Sequence, residues 1–262
     1  MGTALVTGAT AGLGLEFAWQ LATARHDLVL VARDVDRLDQ VATQIRAAAG
    51  VHVEVLAADL SVPDDVDRVA ARLAADGGDD GTRGASAGAR PVGLLVNNAG
   101  FAPAQRFVGG DVDVELRAID VMVRAVVRLT HAALGPMTAR GRGAVLNVAS
   151  VAALTAGGTY SAAKAYVRTF TEGLAAELHG TGVTATVLCP GLVRTEFHDR
   201  AGLDMSSAPQ IGWLDAPYVV SQALADVRRG VVISTPSARY KAGSALLRVL
   251  PRPVVRAIGD GR

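Results

Sequence analysis

The chain is 262 residues long, with 50% hydrophobic, 4% aromatic and 19% charged residues, and 26 Lys and Arg against 25 Asp and Glu. That length supports a large core without a disulfide or a structural zinc, and the single Cys189 excludes an internal disulfide framework and makes a reducing, cytoplasmic setting the simpler expectation. A net charge of +1 provides no whole-molecule attraction to nucleic acid, so no such partner is expected.

Short β-branched runs at 4–7, 27–32, 51–57, 92–97, 144–150, 183–188 and 231–234 alternate with stretches of helical periodicity, such as Leu38, Val41 and Ile45 or Val66, Val69, Ala70 and Leu73. This alternation predicts an α/β fold: one doubly wound, Rossmann-type domain over 1–262, with a seven-stranded parallel sheet and helices on both faces. The start does not read as a secretory leader, since no charge precedes Glu16 and Gly8, Gly12 and Gly14 interrupt the apolar stretch.

The first strand runs into Thr7-Gly8-Ala9-Thr10-Ala11-Gly12-Leu13-Gly14, then a helical pattern through Leu15, Ala18, Trp19 and Ala22. Glycines spaced G-x-x-x-G-x-G let the backbone turn tightly and approach a pyrophosphate, whose charge is favoured by the free N–H groups of a helix start. Gly8, Thr10, Gly12, Leu13 and Gly14 are therefore candidate dinucleotide contacts. The second strand closes on Ala32, followed by Arg33 and Asp34. An acidic residue at that point would bind the ribose hydroxyls of NAD, whereas Arg33 offers fixed donors suited to the 2′-phosphate of NADP(H); the plain alternative is a solvated loop arginine. Asp59 and Leu60 follow the third strand, where Asp59 either positions an adenine or caps the next helix.

Residues 76–90 hold five Gly and three Asp without periodicity and read as a mobile surface loop. Within it, Gly84-Ala85-Ser86-Ala87-Gly88 formally matches a hydrolase nucleophile elbow, but no strand precedes it and the match is set aside. The fourth strand ends in Asn97-Asn98-Ala99-Gly100. Small residues after paired amides suit a place where backbone meets ligand, so Asn98, Ala99 and Gly100 are candidates beside the plain-turn reading. The 21 uncharged residues 143–163 are long enough to cross a bilayer. Asn147, Ser150, Gly157, Gly158 and Tyr160 make them a poor span, and no transmembrane segment is expected. Tyr160 and Lys164, four apart, share one helix face. A free phenol titrates near ~10, and a neighbouring cation favours its ionised form, so this pair suits acid–base work, with Ser150 at the end of the fifth strand as a hydrogen-bonding partner for a substrate oxygen.

The glycine loop, the Asn-Asn-Ala-Gly turn, Ser150, Tyr160/Lys164 and Pro190-Gly191-Leu192-Val193-Arg194-Thr195 occur in this order on successive strand ends, and together the chain resembles the short-chain dehydrogenase/reductase family from about Gly2 to Phe197. The resemblance implies that Tyr160 exchanges a proton with the substrate oxygen, Ser150 orients that oxygen, and Lys164 binds the nicotinamide ribose and assists Tyr160. It also implies that Pro190, Gly191 and Thr195, with the backbone near Leu192 and Val193, hold the nicotinamide, and that the protein is a homodimer or homotetramer. Two departures stand out. Where the family often carries an Asn that completes a tetrad through a bound water, this chain has Met122, and Ser150 precedes Tyr160 by ten residues, fewer than is usual, with Thr155 a fallback hydroxyl.

Beyond the sixth strand, 192–217 reads as a substrate-covering segment in which Leu203, Met205, Ile211, Trp213 and Leu214 form either an apolar pocket wall or core. Residues 237–262 form a basic extension with six basic side chains against Asp260, expected to pack as a helix on the domain or a partner subunit, or to touch a membrane. The expected function is an NADP(H)-dependent oxidoreductase interconverting a ketone or aldehyde with an alcohol, on an apolar small-molecule carbonyl or alcohol substrate that is bulky or lipid-like, with no metal. The alternative is a dinucleotide-binding sensor or interaction protein with little turnover.

Overall fold

Alternation along the strands decides which helices each side chain meets, because successive residues of a strand point to opposite faces. The computed structural model describes residues 2–75, 90–197, 202 and 210–259, the side chains of 257–259 excepted. β1 (Thr3–Thr7) is buried at every position. It lies between β2 (Asp27–Ala32) and β4 (Val92–Asn97), and the sheet is completed by β3 (Val53–Ala57), β5 (Gly143–Val148), β6 (Val183–Leu188) and β9 (Ile233–Ser234). The strand order is β3-β2-β1-β4-β5-β6-β9 and every pairing is parallel.

Ala4 and Val6 of β1, Leu28 and Leu30 of β2 and Val96 of β4 face α1 (Gly12–Thr23), α2 (Val35–Ala49) and α7 (Ala216–Arg228), packing on Phe17, Leu21, Leu38, Ile45 and Val220. Leu5, Val29, Val31, Leu95 and Val145 point the other way, onto Val69 and Leu73 of α3 (Pro63–Ala74) and Leu129, Ala133 and Met137 of α5 (Ala125–Ala139). α4 (Val112–Ile119) reaches α5 through one π-helical turn, Asp120–Arg124. α6 (Gly158–Glu177) follows β5, after a 3-10 turn at Val151–Leu154. The expected parallel sheet with helices on both faces is thus present.

Several boundaries differ from the sequence expectation. The last strand has two residues rather than four, held by Val187↔Ile233 and Leu188↔Ser234 and by the Ser234 hydroxyl, which donates to Asp226 at 2.6 Å. After β6 the chain makes a second, two-stranded parallel sheet, β7 (Val193–Arg194) with β8 (Leu214–Asp215), which no periodicity announced. The basic extension forms α8 (Ala238–Val249) and α9 (Arg252–Gly259), separated at Pro251, which cannot continue a helix hydrogen-bond ladder. The 21-residue uncharged run becomes β5, the 3-10 turn and the start of α6, and among the described residues no helix is long and apolar enough to cross a membrane. Apart from Arg90, the loop expected at 76–90 lies outside the described residues, with its Gly84–Gly88 match; so do 198–201 and 203–209 of the 192–217 segment.

Leu95 in the middle of β4 is fully buried. Leu95→Ala is expected to lower the unfolding free energy by about 2–5 kcal/mol, the usual range for emptying a leucine site in a rigid core, as read from urea denaturation of the two proteins.

Candidate active site

A doubly wound sheet leaves a crevice above the strand ends where its winding reverses, here between β1 and β4. The Thr7 hydroxyl accepts the backbone N–H groups of Asn98 and Ala99, each at 3.0 Å. In return the Asn98 side-chain amide donates to the Thr7 carbonyl at 3.0 Å. Asn98 therefore ties the two loops together. Its neighbour Asn97 points into the protein, donating to Asn147 at 2.9 Å and Thr130 at 3.1 Å, and Asn147 donates onward to Thr171 at 2.9 Å. These buried amides bridge β4, β5, α5 and α6.

Gly8 turns with φ +66°, and its N–H donates to the Val31 carbonyl at 2.8 Å. A Cβ on Gly14 would lie 2.1 Å from the Gly8 carbonyl oxygen and 2.5 Å from the Asn98 amide, so only glycine lets α1 begin this close to the loop. At Gly12 an added Cβ would come within 3.3 Å of Thr195, which brings the glycine loop and the segment after β6 into contact. Thr10 and Leu13 lie in the same loop and helix start.

At the outer end of the crevice the Arg33 side chain is 77% exposed, 3.9 Å from the Asp59 carboxylate. Asp34 accepts from the Arg37 N–H at 3.0 Å and caps α2. One Asp59 oxygen accepts from both the N–H and the hydroxyl of Ser61, at 2.9 and 2.7 Å, closing a turn. The cap position of α3 is Val62, so Asp59 is not that helix's cap. Leu60 is buried in the core, leaving only its backbone to face a ligand.

Ser150 lies two residues beyond β5 and caps the 3-10 turn, its oxygen accepting the Ala152 N–H at 3.1 Å, which leaves its own proton to donate. The Thr155 hydroxyl donates to the Ala152 carbonyl at 2.9 Å and shares a hydrogen bond of 3.1 Å with Ser161. That closes the short Ser150–Tyr160 connection and engages the fallback hydroxyl. Tyr160 stands in the first turn of α6, its ring centroid 5.7 Å from that of Phe197 and 5.7 Å from Lys164 Nζ. Lys164 is buried and donates to the Val148 carbonyl at 2.9 Å. Burial pushes its ammonium down to about 8, with Cys189 acting in the opposite sense. A Cβ on Gly100 would meet Met122 at 3.2 Å and Lys164 Nζ at 3.4 Å, so these three residues converge. Met122 itself is buried with Ala118 and Ala163, against Phe101 and Tyr160.

Tyr240 of α8 lay beyond every motif in the sequence. A Cβ on Gly191 would fall inside its ring, and its hydroxyl accepts the Leu192 N–H at 3.0 Å while donating to the Gly212 carbonyl at 2.7 Å. The Leu192 N–H is thereby engaged within the protein. Pro190 accepts from the Val151 N–H at 3.0 Å, joining this segment to the turn after Ser150. Among the described residues no group of His, Cys, Asp and Glu is arranged to hold a metal ion.

Residues 2–205 match the short chain dehydrogenase family, and the chain belongs to it. It is 32% identical over 202 residues to a very-long-chain 3-oxoacyl-CoA reductase of Anas platyrhynchos, covering 74% of this chain and about 60% of the length of that relative. Among solved structures it superposes on a short-chain dehydrogenase from Sphingobium yanoikuyae in complex with NADPH, with TM-score 0.81, 32% identity and coverage of 96% of this chain and 97% of that one. It also superposes on the bulky-bulky ketone specific alcohol dehydrogenase from Comamonas testosteroni, with TM-score 0.78, 27% identity and coverage of 96% of each.

The position of Lys164 has a pH signature. With a folded value of about 8 against an ordinary 10.5, the folded chain gives up this proton before the unfolded chain does, so the penalty of the buried charge is complete below about 8 and relieved as pH rises towards 10.5. The melting temperature of Lys164→Met minus that of the parent is therefore expected to stay level up to about pH 8 and to fall from there to about pH 10 in ligand-free protein. Differential scanning fluorimetry across that range reads it; a flat difference would mean the ammonium is not depressed.

Proposed function

We propose that the chain is an NADP(H)-dependent oxidoreductase that interconverts a ketone or aldehyde with an alcohol. The observation that carries this reading is Lys164: a buried ammonium with three donors, one of them on the Val148 carbonyl, set beside Tyr160. Its remaining donors suit the hydroxyls of a nicotinamide ribose, and the start of α1, which Gly14 lets lie close to the glycine loop, suits a pyrophosphate. The dinucleotide supplies the hydride.

In this reading Gly8, Thr10, Gly12, Leu13 and Gly14 hold the pyrophosphate. Arg33 takes the 2′-phosphate, Asp59 with the backbone of Leu60 borders the adenine, and Asn98, Ala99 and Gly100 form the wall opposite the glycine loop. Pro190, Gly191, Val193 and Thr195 place the carboxamide. The Ser150 proton donates to the substrate oxygen. Tyr160 gives its proton to that oxygen in reduction and withdraws it in oxidation, and the Lys164 charge supports the phenolate left behind. The names of the Anas and Comamonas proteins fit a bulky, apolar carbonyl, and Tyr160, Phe101 and Phe197 offer aromatic surface beside the reacting end. A homo-oligomer belongs to the same reading, since Val112, Leu116 and Ile119 leave one apolar face of α4 exposed. So does a reducing cytoplasmic setting, in keeping with the buried free thiol of Cys189.

Tyr160→Phe is expected to lose about 10²–10⁴ in kcat on a panel of bulky ketones while keeping its NADPH affinity. Turnover equal to the parent would refute the acid–base role. A parent that binds NADPH yet turns over none of the panel would support the sensor reading, which Met122 favours by placing a weakly accepting thioether beside Lys164. Arg33→Ala is expected to weaken NADPH binding by about tenfold or more, leaving NADH nearly unchanged, in fluorescence titrations of both cofactors. Equal losses would remove the 2′-phosphate contact.

A further inference from the structure

A second concave site lies at the other edge of the sheet, where the parallel strands begin rather than end. Its volume is about 730 Å³, within the range of small-molecule sites. Four arginines line it: Arg25 after α1, Arg90 before β4, and Arg140 and Arg142 around the turn between α5 and β5. Among the described residues, the one carboxylate on its wall is Asp27, at the start of β2. Gly93 and Gly143 also line it, leaving backbone rather than side chains at the starts of β4 and β5.

Arginines at this edge have an ordinary duty, because the C-terminal ends of α1, α2 and α5 point here and carry partial negative charge. Arg25 discharges it by donating to the Ala49 carbonyl at the end of α2, at 2.6 Å. Arg90 is taken by Asp27, which uses up the one carboxylate. The other two go further than that duty requires. Arg140 donates through Nη2 to the Val92 carbonyl at 2.9 Å, but its Nη1 is buried with no hydrogen-bond partner. Arg142 has no ion pair or hydrogen bond to its side chain among the described residues. A buried guanidinium nitrogen without an acceptor is costly, and native structures rarely leave one so. Because Nη1 has no accessible surface, an anion with several oxygens in the cleft would meet the exposed Arg142 guanidinium and the part of Arg140 that lines the cleft.

We propose that this cleft binds a phosphate-bearing small molecule, at a site separate from the crevice above β1 and β4. Guanidinium forks match phosphate oxygens in pairs, and among the described lining residues four of them around one already neutralised carboxylate make a net positive charge. The inference stands on the arginines alone and does not rest on the reading of the other site.

The test is calorimetric titration of the full chain, carrying one equivalent of NADPH, with inorganic pyrophosphate at low salt. A saturable site is expected that weakens at least about tenfold in Arg142→Gln and more in Arg140→Gln/Arg142→Gln, while NADPH affinity stays the same in all three proteins. Arg142 is exposed, so Arg142→Gln leaves the fold intact and decides the matter if the double variant melts early. No saturable binding, or a site equally tight in Arg142→Gln, would overturn the proposal. So would a site present only before NADPH is added, since pyrophosphate would then be occupying the glycine loop. If NADPH itself does not bind, the same titration of the unloaded chain and the same variants distinguishes the two outcomes.

Discussion

Everything in the crevice depends on how β1 and β4 separate after running side by side. One hydroxyl, that of Thr7, accepts two backbone N–H groups from the turn after β4, and the Asn98 amide returns a donor to the Thr7 carbonyl. Unmet, each of those buried groups would cost about 1–3 kcal/mol. With them satisfied across the gap, the glycine loop can turn one way and the Ala99–Gly100 backbone the other. The distance between the two walls is then set by Gly14, whose missing side chain is where Gly8 and Asn98 stand.

The second constraint is a charge held away from water. An ammonium resists burial, and the fall of Lys164 to about 8 expresses that resistance. The fold meets it with a single carbonyl at the end of β5 and surrounds the rest with Gly100, Met122 and the Tyr160 ring. Such a group is poised for a ligand rich in hydroxyls. Cys189 close by is no nucleophile in this state, because burial pushes its thiol up to about 11.

The sheet was legible because its strands are short, β-branched and separated by long periodic stretches, a pattern that survives without any knowledge of tertiary contacts. The candidate residues of the crevice were legible because strand-end glycines, paired amides and Tyr160/Lys164 each sit one element apart in order. What they do locally was less so: nothing in the sequence announced that the Asn98 amide donates to the Thr7 carbonyl. Asp59 offered two readings and turned out to close a turn with Ser61 while facing Arg33. Tyr240 carried no signal at all, since a lone tyrosine in a basic helix acquires meaning only when folding lays it on Gly191. The β7–β8 pair was hidden for a related reason: two residues per strand are too few for any period to show.

The π-helical turn at Asp120–Arg124 has a bearing on the evolution of this chain. An α-helix advances about 100° per residue, so one additional residue in a turn rotates everything beyond it by roughly that angle relative to what came before. On the near side, Val112, Leu116 and Ile119 look outward; on the far side, Leu129, Ala133 and Met137 look into the core. The turn is the gearing between those two phases. Deleting a single residue there would let the helix run true and swing the apolar stripe of α5 out of register with the sheet. An insertion elsewhere in the same helix would be needed to bring it back, so the length of 112–139 is held by the angle between its two halves more tightly than by the identity of any residue within it.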